Sequence, residues 1–236
     1  MRRATRHVHP TAATRHTLMA IVLVSASASA AVAQEDGRVY VGSAFGVSTL
    51  SGDTQAVASP PDVRISTYKP ENGPVLNVFG GVDVARFLSV QGNYVWNRND
   101  VTLLSSFLSP SGSGFYEQRR TGDQHAIVGD ALLYFRARGS GVRPYLSTGI
   151  GVLRFTSDQA VGTVESGFAA PDGEIAKTRA GLRVAVGIDL TLGSGWAFRY
   201  SFSETISGNA ISPRLTPPGK RNLANFDNLF GFVRRL

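Results

Sequence analysis

The chain contains no cysteine in 236 residues, so no disulfide contributes to its stability even in an oxidising compartment. Histidine is almost as scarce. His7, His9 and His16 fall within the first 33 residues, which leaves His125 alone in the remainder. A cluster of His and Cys metal ligands is thereby excluded. Beyond residue 33 no apolar run approaches the ~18 residues of a membrane helix, so any membrane crossing there must be made by strands. Four of the 24 basic residues, and none of the 17 acidic ones, lie in residues 1–33. The rest carries only three more basic than acidic residues, too mild a surplus to argue for a nucleic-acid partner.

Residues 1–33 have the layout of a secretory signal peptide. Arg2, Arg3, Arg6 and Arg15 supply a basic start, residues 17–24 a short apolar run, and Ala31-Val32-Ala33 a small-residue cleavage site. An interfacial anchor helix is the alternative reading of the same segment. Residues 34–236 then form one domain of a size common among all-β folds.

Period-two alternation is clearest over residues 87–98, where Leu88, Val90, Gly92, Tyr94 and Trp96 share one face and Ser89, Gln91, Asn93 and Asn97 the other. Residues 76–84, 179–190 and 196–203 alternate in the same way. Weaker alternation marks 38–48, 124–136, 143–155 and 223–234, which makes eight strands. In each clear case one face holds Leu, Val, Ile and large aromatics, and the other holds Gly, Ala, Ser, Asn and charge. A soluble barrel or sandwich would turn the apolar face inward, whereas a transmembrane barrel turns it toward lipid.

The connections separate these readings. Strands two and three, four and five, and six and seven are joined by residues 85–86, 137–141 and 191–195. The other connections, 49–72, 99–122, 156–177 and 204–222, are about twenty residues long, far above ordinary hairpin length. An alternation of long and short connections gives a barrel one tight face and one loop-rich face, the arrangement of an outer-membrane barrel with four long extracellular loops. About eleven residues per strand, at ~3.3 Å each and tilted by roughly 45°, cover about 25 Å. Eight strands leave an interior that side chains can fill. The expected fold is an all-β, eight-stranded antiparallel up-and-down transmembrane β-barrel.

With Val142-Arg-Pro-Tyr-Leu-Ser-Thr-Gly-Ile-Gly-Val152, residues 88–96 and this order of connections, the chain resembles the small outer-membrane β-barrel family typified by the membrane domain of outer membrane protein A. The resemblance covers residues 38–236. It implies export to the bacterial outer membrane and partners in outer-membrane lipid, lipopolysaccharide above all, and in the barrel assembly machinery. Such barrels usually finish on a terminal Phe, whereas this chain ends Phe230-Gly-Phe-Val-Arg-Arg-Leu236, with Phe230 and Phe232 as the nearest aromatics. No peptidoglycan-binding domain follows the last strand, so tethering to the wall is not expected.

On this strand phase Asp83, Asp130, Arg183, Asp189 and Arg199 project into the lumen, with Asp189 opposite Ala197 and diagonal to Arg199. Charges withdrawn from water need partners, so a polar network plugging the lumen is expected, with a gate for small solutes as the functional variant. Arg98, Arg154 and Arg179 lie near the upper strand ends, where guanidinium groups can offer paired donors to lipopolysaccharide phosphates. Trp96, Tyr94, Tyr200 and Phe202 are expected near one rim, and Trp196, Phe230 and Phe232 near the other, as aromatic girdles. His125 invites comparison with outer-membrane lipases, but Ile127 stands where the lipid A deacylase pattern has Ser, and the His side chain falls on the lipid or rim face. Gly149-Ile-Gly151 lacks the following helix of a dinucleotide site. No cofactor is expected, and the protein is read as non-enzymatic, acting in membrane integrity or toward an unidentified surface ligand; a narrow channel or a lipid-modifying enzyme is the alternative.

Overall fold

Alternating residues with one apolar and one small or polar face pair readily side by side, because each strand can then satisfy two surroundings at once. The computed structural model describes residues 39–158 and 162–236; the proposed signal peptide lies outside the described residues. The strands are β1 (Val39–Leu50), β2 (Asp53–Ser59), β3 (Asp62–Pro70), β4 (Gly73–Asp83), β5 (Leu88–Ser109), β6 (Gly112–Tyr134), β7 (Val142–Ser157), β8 (Gly162–Ser166), β9 (Ile175–Gly193), β10 (Trp196–Gly208) and β11 (Asn222–Arg235). Eight of them close a ring in the order β1, β4, β5, β6, β7, β9, β10, β11, each antiparallel to both neighbours. This is the eight-stranded antiparallel barrel that the periodicity and connections predict.

The register fixes the tilt. From Val41 the pairing runs through Gly80, Gly92, Gly129, Ile150, Leu182, Ile206 and Ala224, and Ala224 O accepts from the amide of Ser51, ten residues beyond the start. Such a stagger over eight strands corresponds to a tilt of roughly 45°. Along β5 the even residues from Leu88 to Tyr94 point outward and the odd residues Ser89, Gln91, Asn93, Val95 and Asn97 are buried. Val184 and Val186 on β9, and Phe230 and Phe232 on β11, are likewise exposed on the outer face. In the barrel, the outer face is apolar, while the inner face mixes polar and small residues with a buried cluster that includes Phe79, Val95, Val128 and Leu229.

At one end the turns are tight. Residues 84–87 and 135–141 connect β4 to β5 and β6 to β7, and Ser194-Gly195 joins β9 to β10. That last turn uses positive φ at Gly193, Ser194 and Gly195, a conformation that glycine adopts without steric strain. At the other end the structure departs from the expectation of four irregular loops. Residues 49–72 fold into the β2–β3 hairpin, which pairs with the far half of β5; β5 and β6 continue without a break to Ser109 and Gly112, and β8 adds to β6. These additional strands make a sheet standing above the barrel, in the order β2-β3-β5-β6-β8.

The extension has its own apolar core, in which Leu50, Tyr68, Leu103, Tyr116, Phe155, Ile175, Ile211 and Leu215 are buried together with Phe168 packed against them. Its inner face combines these apolar residues with buried Ser105, Gln118 and Arg120, while Lys69, Asp100, Thr102, Glu117 and Arg119 occupy the outer one. Period-two alternation never stops along β5. What changes near Asn97 is which phase carries the apolar residues: Leu88 to Trp96 use even numbers, and Val101 and Leu103 use odd ones. A strand search keyed to one apolar face therefore ends at the reversal.

Candidate functional site in the lumen and the cap

The strand phase brings all five expected lumen residues inside: Asp83, Asp130, Arg183, Asp189 and Arg199 are each 3% exposed or less. Their pairing differs in detail from the expectation. A bulge at Trp196 and Ala197 shifts the register, so Asp189 stands directly opposite Arg199 and Thr191 opposite Ala197. Arg199 Nε donates to Asp189 Oδ1 at 2.6 Å and Nη2 to Oδ2 at 2.9 Å, a fork-to-fork pair. The same guanidinium donates through Nη1 to Gln91 Oε1 at 2.8 Å and through Nη2 to the Tyr134 hydroxyl at 2.9 Å. It also lies over the rings of Phe79 at 4.8 Å and Tyr145 at 5.0 Å.

Above it, Arg183 Nη1 donates to Asp130 Oδ2 at 3.2 Å and Nη2 to Ser203 Oγ at 3.3 Å, while Asn93 Nδ2 donates to Asp130 Oδ2 at 3.0 Å. Asp83 sits at the tight-turn end and pairs with Arg138 at 3.1 Å, with Ser89 Oγ on its other oxygen. The network includes residues that the sequence reading left out: Gln91, Asn93, Tyr134, Arg138, Arg143 and Asp227. Arg143 and Asp227 had a legible signal, since each occupies an inward phase of an alternating strand. Arg138 had none, because it lies in a turn. The cavity beside Arg199 measures only about 10 Å³, about the space one water centre needs.

Arg154 and Arg179 lie near strand ends as expected, three residues before the end of β7 and four after the start of β9, whereas Arg98 falls mid-strand because β5 continues to Ser109. Arg98 forks onto Asp123 with both bonds at 2.9 Å, and the Trp96 indole donates to the same carboxylate at 3.2 Å. Arg154 stands opposite His125 in register and is exposed. Arg179 is exposed beside Gly208. The three lie along one side of the barrel, on β5, β7 and β9, where the outer surface changes from apolar to polar. His125 shares its Nδ1 with the Tyr94 hydroxyl at 2.8 Å on the outer face.

Tyr200 and Phe230, placed at opposite rims by the sequence reading, do not separate. Tyr200 is directly paired with Phe230, and Phe198 with Phe232, so they form one aromatic strip on the outer face of β10 and β11. Order along a strand misplaces height here, because tilted strands slide past one another around the ring. Trp196 and Arg234 do mark the tight-turn end, with the guanidinium 5.4 Å from the ring centroid.

In the cap, Arg120 is 3% exposed and donates to the carbonyls of Asp158 at 3.0 Å, Gly173 at 2.8 Å and Pro171 at 2.5 Å, with Gln118 Oε1 on its Nε at 2.6 Å. Burial lowers its pKa, and the neighbouring Arg214 adds to the effect. Burial raises the Tyr116 and Tyr68 phenols, which bond to Ser105 at 2.9 Å and Asn209 at 2.8 Å. Asp53 accepts the Lys220 amide at 2.5 Å, tying the β2–β3 hairpin to the 209–221 connection. The outer face of the cap carries exposed Val63 paired with Leu108, and Ile65 and Phe115 on either side of Ser106, with Leu108 61% exposed.

Several solved structures are similar to this chain. The Neisserial surface protein A matches at 13% identity and a TM-score of 0.48, over 85% of this chain and 98% of that one. The attachment invasion locus protein of Yersinia pestis, solved with the heparin analogue sucrose octasulfate, matches at 9% identity and 0.41, over 83% and 99%. The N-terminal beta-barrel domain of Pseudomonas aeruginosa OprF matches at 12% identity and 0.39, over 83% and 97%. No curated protein matches the chain. The outer membrane protein beta-barrel domain family matches residues 18–228, and with the closed ring of eight strands and its apolar outer face, the chain belongs to that family and resides in the bacterial outer membrane.

Proposed function

We propose that this barrel is a non-enzymatic surface-interaction protein that presents its extracellular cap to a partner macromolecule. The carrying observation is the patch of Val63, Ile65, Leu108 and Phe115 on the outer face of the cap sheet. Ten residues of β5 separate Arg98 from Leu108, which at ~3.3 Å each and a tilt of roughly 45° places the patch about 23 Å beyond the rim. Contiguous apolar surface in water marks interaction sites. A rigid apolar core beneath the sheet holds the patch in one shape, which lowers the entropy lost on binding. The filled lumen supports a closed barrel over a solute channel, and the engagement of His125 by Tyr94 supports a structural role over a catalytic one.

Lipopolysaccharide is the lipid partner in this reading, with Arg154 and Arg179 offering exposed guanidinium groups to its phosphates and Arg98 held by Asp123. Phe230 and Phe232 are the aromatics offered to the assembly machinery. To test the surface role, cells producing wild type or Leu108→Asn with Phe115→Asn at equal surface levels would be scored for adhesion to immobilised extracellular proteins and for exclusion of a large antibiotic. Adhesion should fall at least about fivefold with exclusion unchanged, as expected if these anchors dominate binding. Unchanged adhesion alongside a leaky membrane in the deletion strain would instead assign the protein to envelope integrity.

A further inference from the structure

The tight-turn end of the lumen holds more cation than its acids can neutralise. Arg138, from the turn between β6 and β7, pairs with Asp83 at the end of β4. Arg143, at the start of β7, is 1% exposed and lies 3.7 Å from the centroid of the Tyr134 ring, with no hydrogen-bond acceptor at Nε. Arg235, at the end of β11, donates through Nη1 to the Arg138 carbonyl at 3.5 Å, and its buried Nη2 has no acceptor. Arg143 is within electrostatic reach of Asp83, Arg235 and Asp189, and Asp189 is its register partner on β9. Asp189 adds no unpaired negative charge, however, because Arg199 already forks onto both of its oxygens.

Among the described residues, Asp83 is the one carboxylate within 4 Å of any of the three guanidinium groups. Three positive charges against one negative leave an excess of two, held in a partly desolvated mouth. A buried cation facing only neutral groups is costly, and an aromatic face offsets only part of that cost. Guanidinium donors match phosphate oxygens in geometry, and a phosphate monoester carries about −1.5 to −2 charge at neutral pH.

The geometry points to an anion site for a phosphate group at the periplasmic mouth, held by Arg143 and Arg235 with Arg138 beside them. Inorganic phosphate and a lipid phosphomonoester share this chemistry. The unfolding midpoint of the folded full-length protein in detergent would be measured in sodium phosphate and in sodium chloride of equal ionic strength. Phosphate at about a hundred times its Kd should raise the midpoint by about 5 °C. The rise should shrink at least threefold in Arg235→Gln, disappear in Arg143→Met, and persist in Arg86→Gln, an exposed residue of the β4–β5 turn at the same end. If Arg143→Met does not fold, Arg235→Gln carries the test alone. Competition by short-chain phosphatidic acid identifies a lipid headgroup as a source, and competition by inorganic phosphate alone identifies the free ion; either result supports the site. No rise beyond chloride, or a rise undiminished in Arg235→Gln, overturns it.

Discussion

The barrel and its cap are built from the same strands with opposite polarity. Below Asn97, β5 turns Leu88, Val90 and Tyr94 outward and buries Gln91 and Asn93; above it, the same strand turns Asp100 and Thr102 outward and buries Val101 and Leu103. β6 reverses with it, from outward Ile127 and Leu133 to outward Glu117 and Arg119 with Tyr116 inside. Lipid outside and water outside impose opposite demands on a pleated strand, and a single phase exchange satisfies both. The stabilising forces differ accordingly. The lumen combines buried charge pairs with an apolar cluster that includes Phe79, Val95, Val128 and Leu229, whereas the cap is held mainly by an apolar core.

The largest test of that contrast is Arg199→Ala, which strands Asp189 in the lumen. Breaking one side of a buried pair should destabilise the fold by about 3–5 kcal/mol in reversible urea unfolding into vesicles, followed by the fluorescence of Trp96 and Trp196. A loss below about 1 kcal/mol would show that the lumen is wet enough to solvate Asp189, and steady conductance in planar bilayers would then favour the channel reading.

In the cap, Leu103→Ala should cost about 2–5 kcal/mol by removing a buried apolar side chain. The loss should be local: protease should cut the 99–122 segment sooner while the barrel keeps its heat-modifiable migration in gels. If barrel and cap unfold together, they are one cooperative unit.

On the outer surface the two regions should respond unequally to the same residue. Val186→Arg on the lipid face should cost about 2–4 kcal/mol, while Thr102→Arg, also outward but above the reversal, should stay within about 0.5 kcal/mol. Equal penalties would mean that lipid contact does not end near Arg98. The smallest effect belongs to Arg98→Gln: its pair with Asp123 is solvent-exposed and screened, so the unfolding midpoint should stay at the wild-type value at low and at high salt alike.

Local sequence was enough to find the barrel strands and their inward residues, because period two is a property of the strand itself. Asp130 and Arg183 could be placed inside from the alternation around them, although nothing in the sequence said that they would meet across β6, β7 and β9. The misplaced girdle residues Tyr200 and Phe230 show the same limit: each strand's faces were legible, but their heights were not. The fourth connection was read as loop, yet its Ile211 and Leu215 belong to the cap core. Scattered apolar residues without a period carry no sign of what they will pack against.

The sequence by itself determined which residues share a face, how many strands cross, and which end of the barrel is tight, since each depends on neighbours along the chain. Only the tertiary structure decided the ten-residue stagger, the bulge that sets Asp189 against Arg199, and the convergence of Arg138, Arg143 and Arg235 from three separate strands and turns. Those follow from ring closure, which couples residues nearly 200 positions apart through hydrogen-bond register, and register is set by the whole circuit of pairings rather than by any one strand.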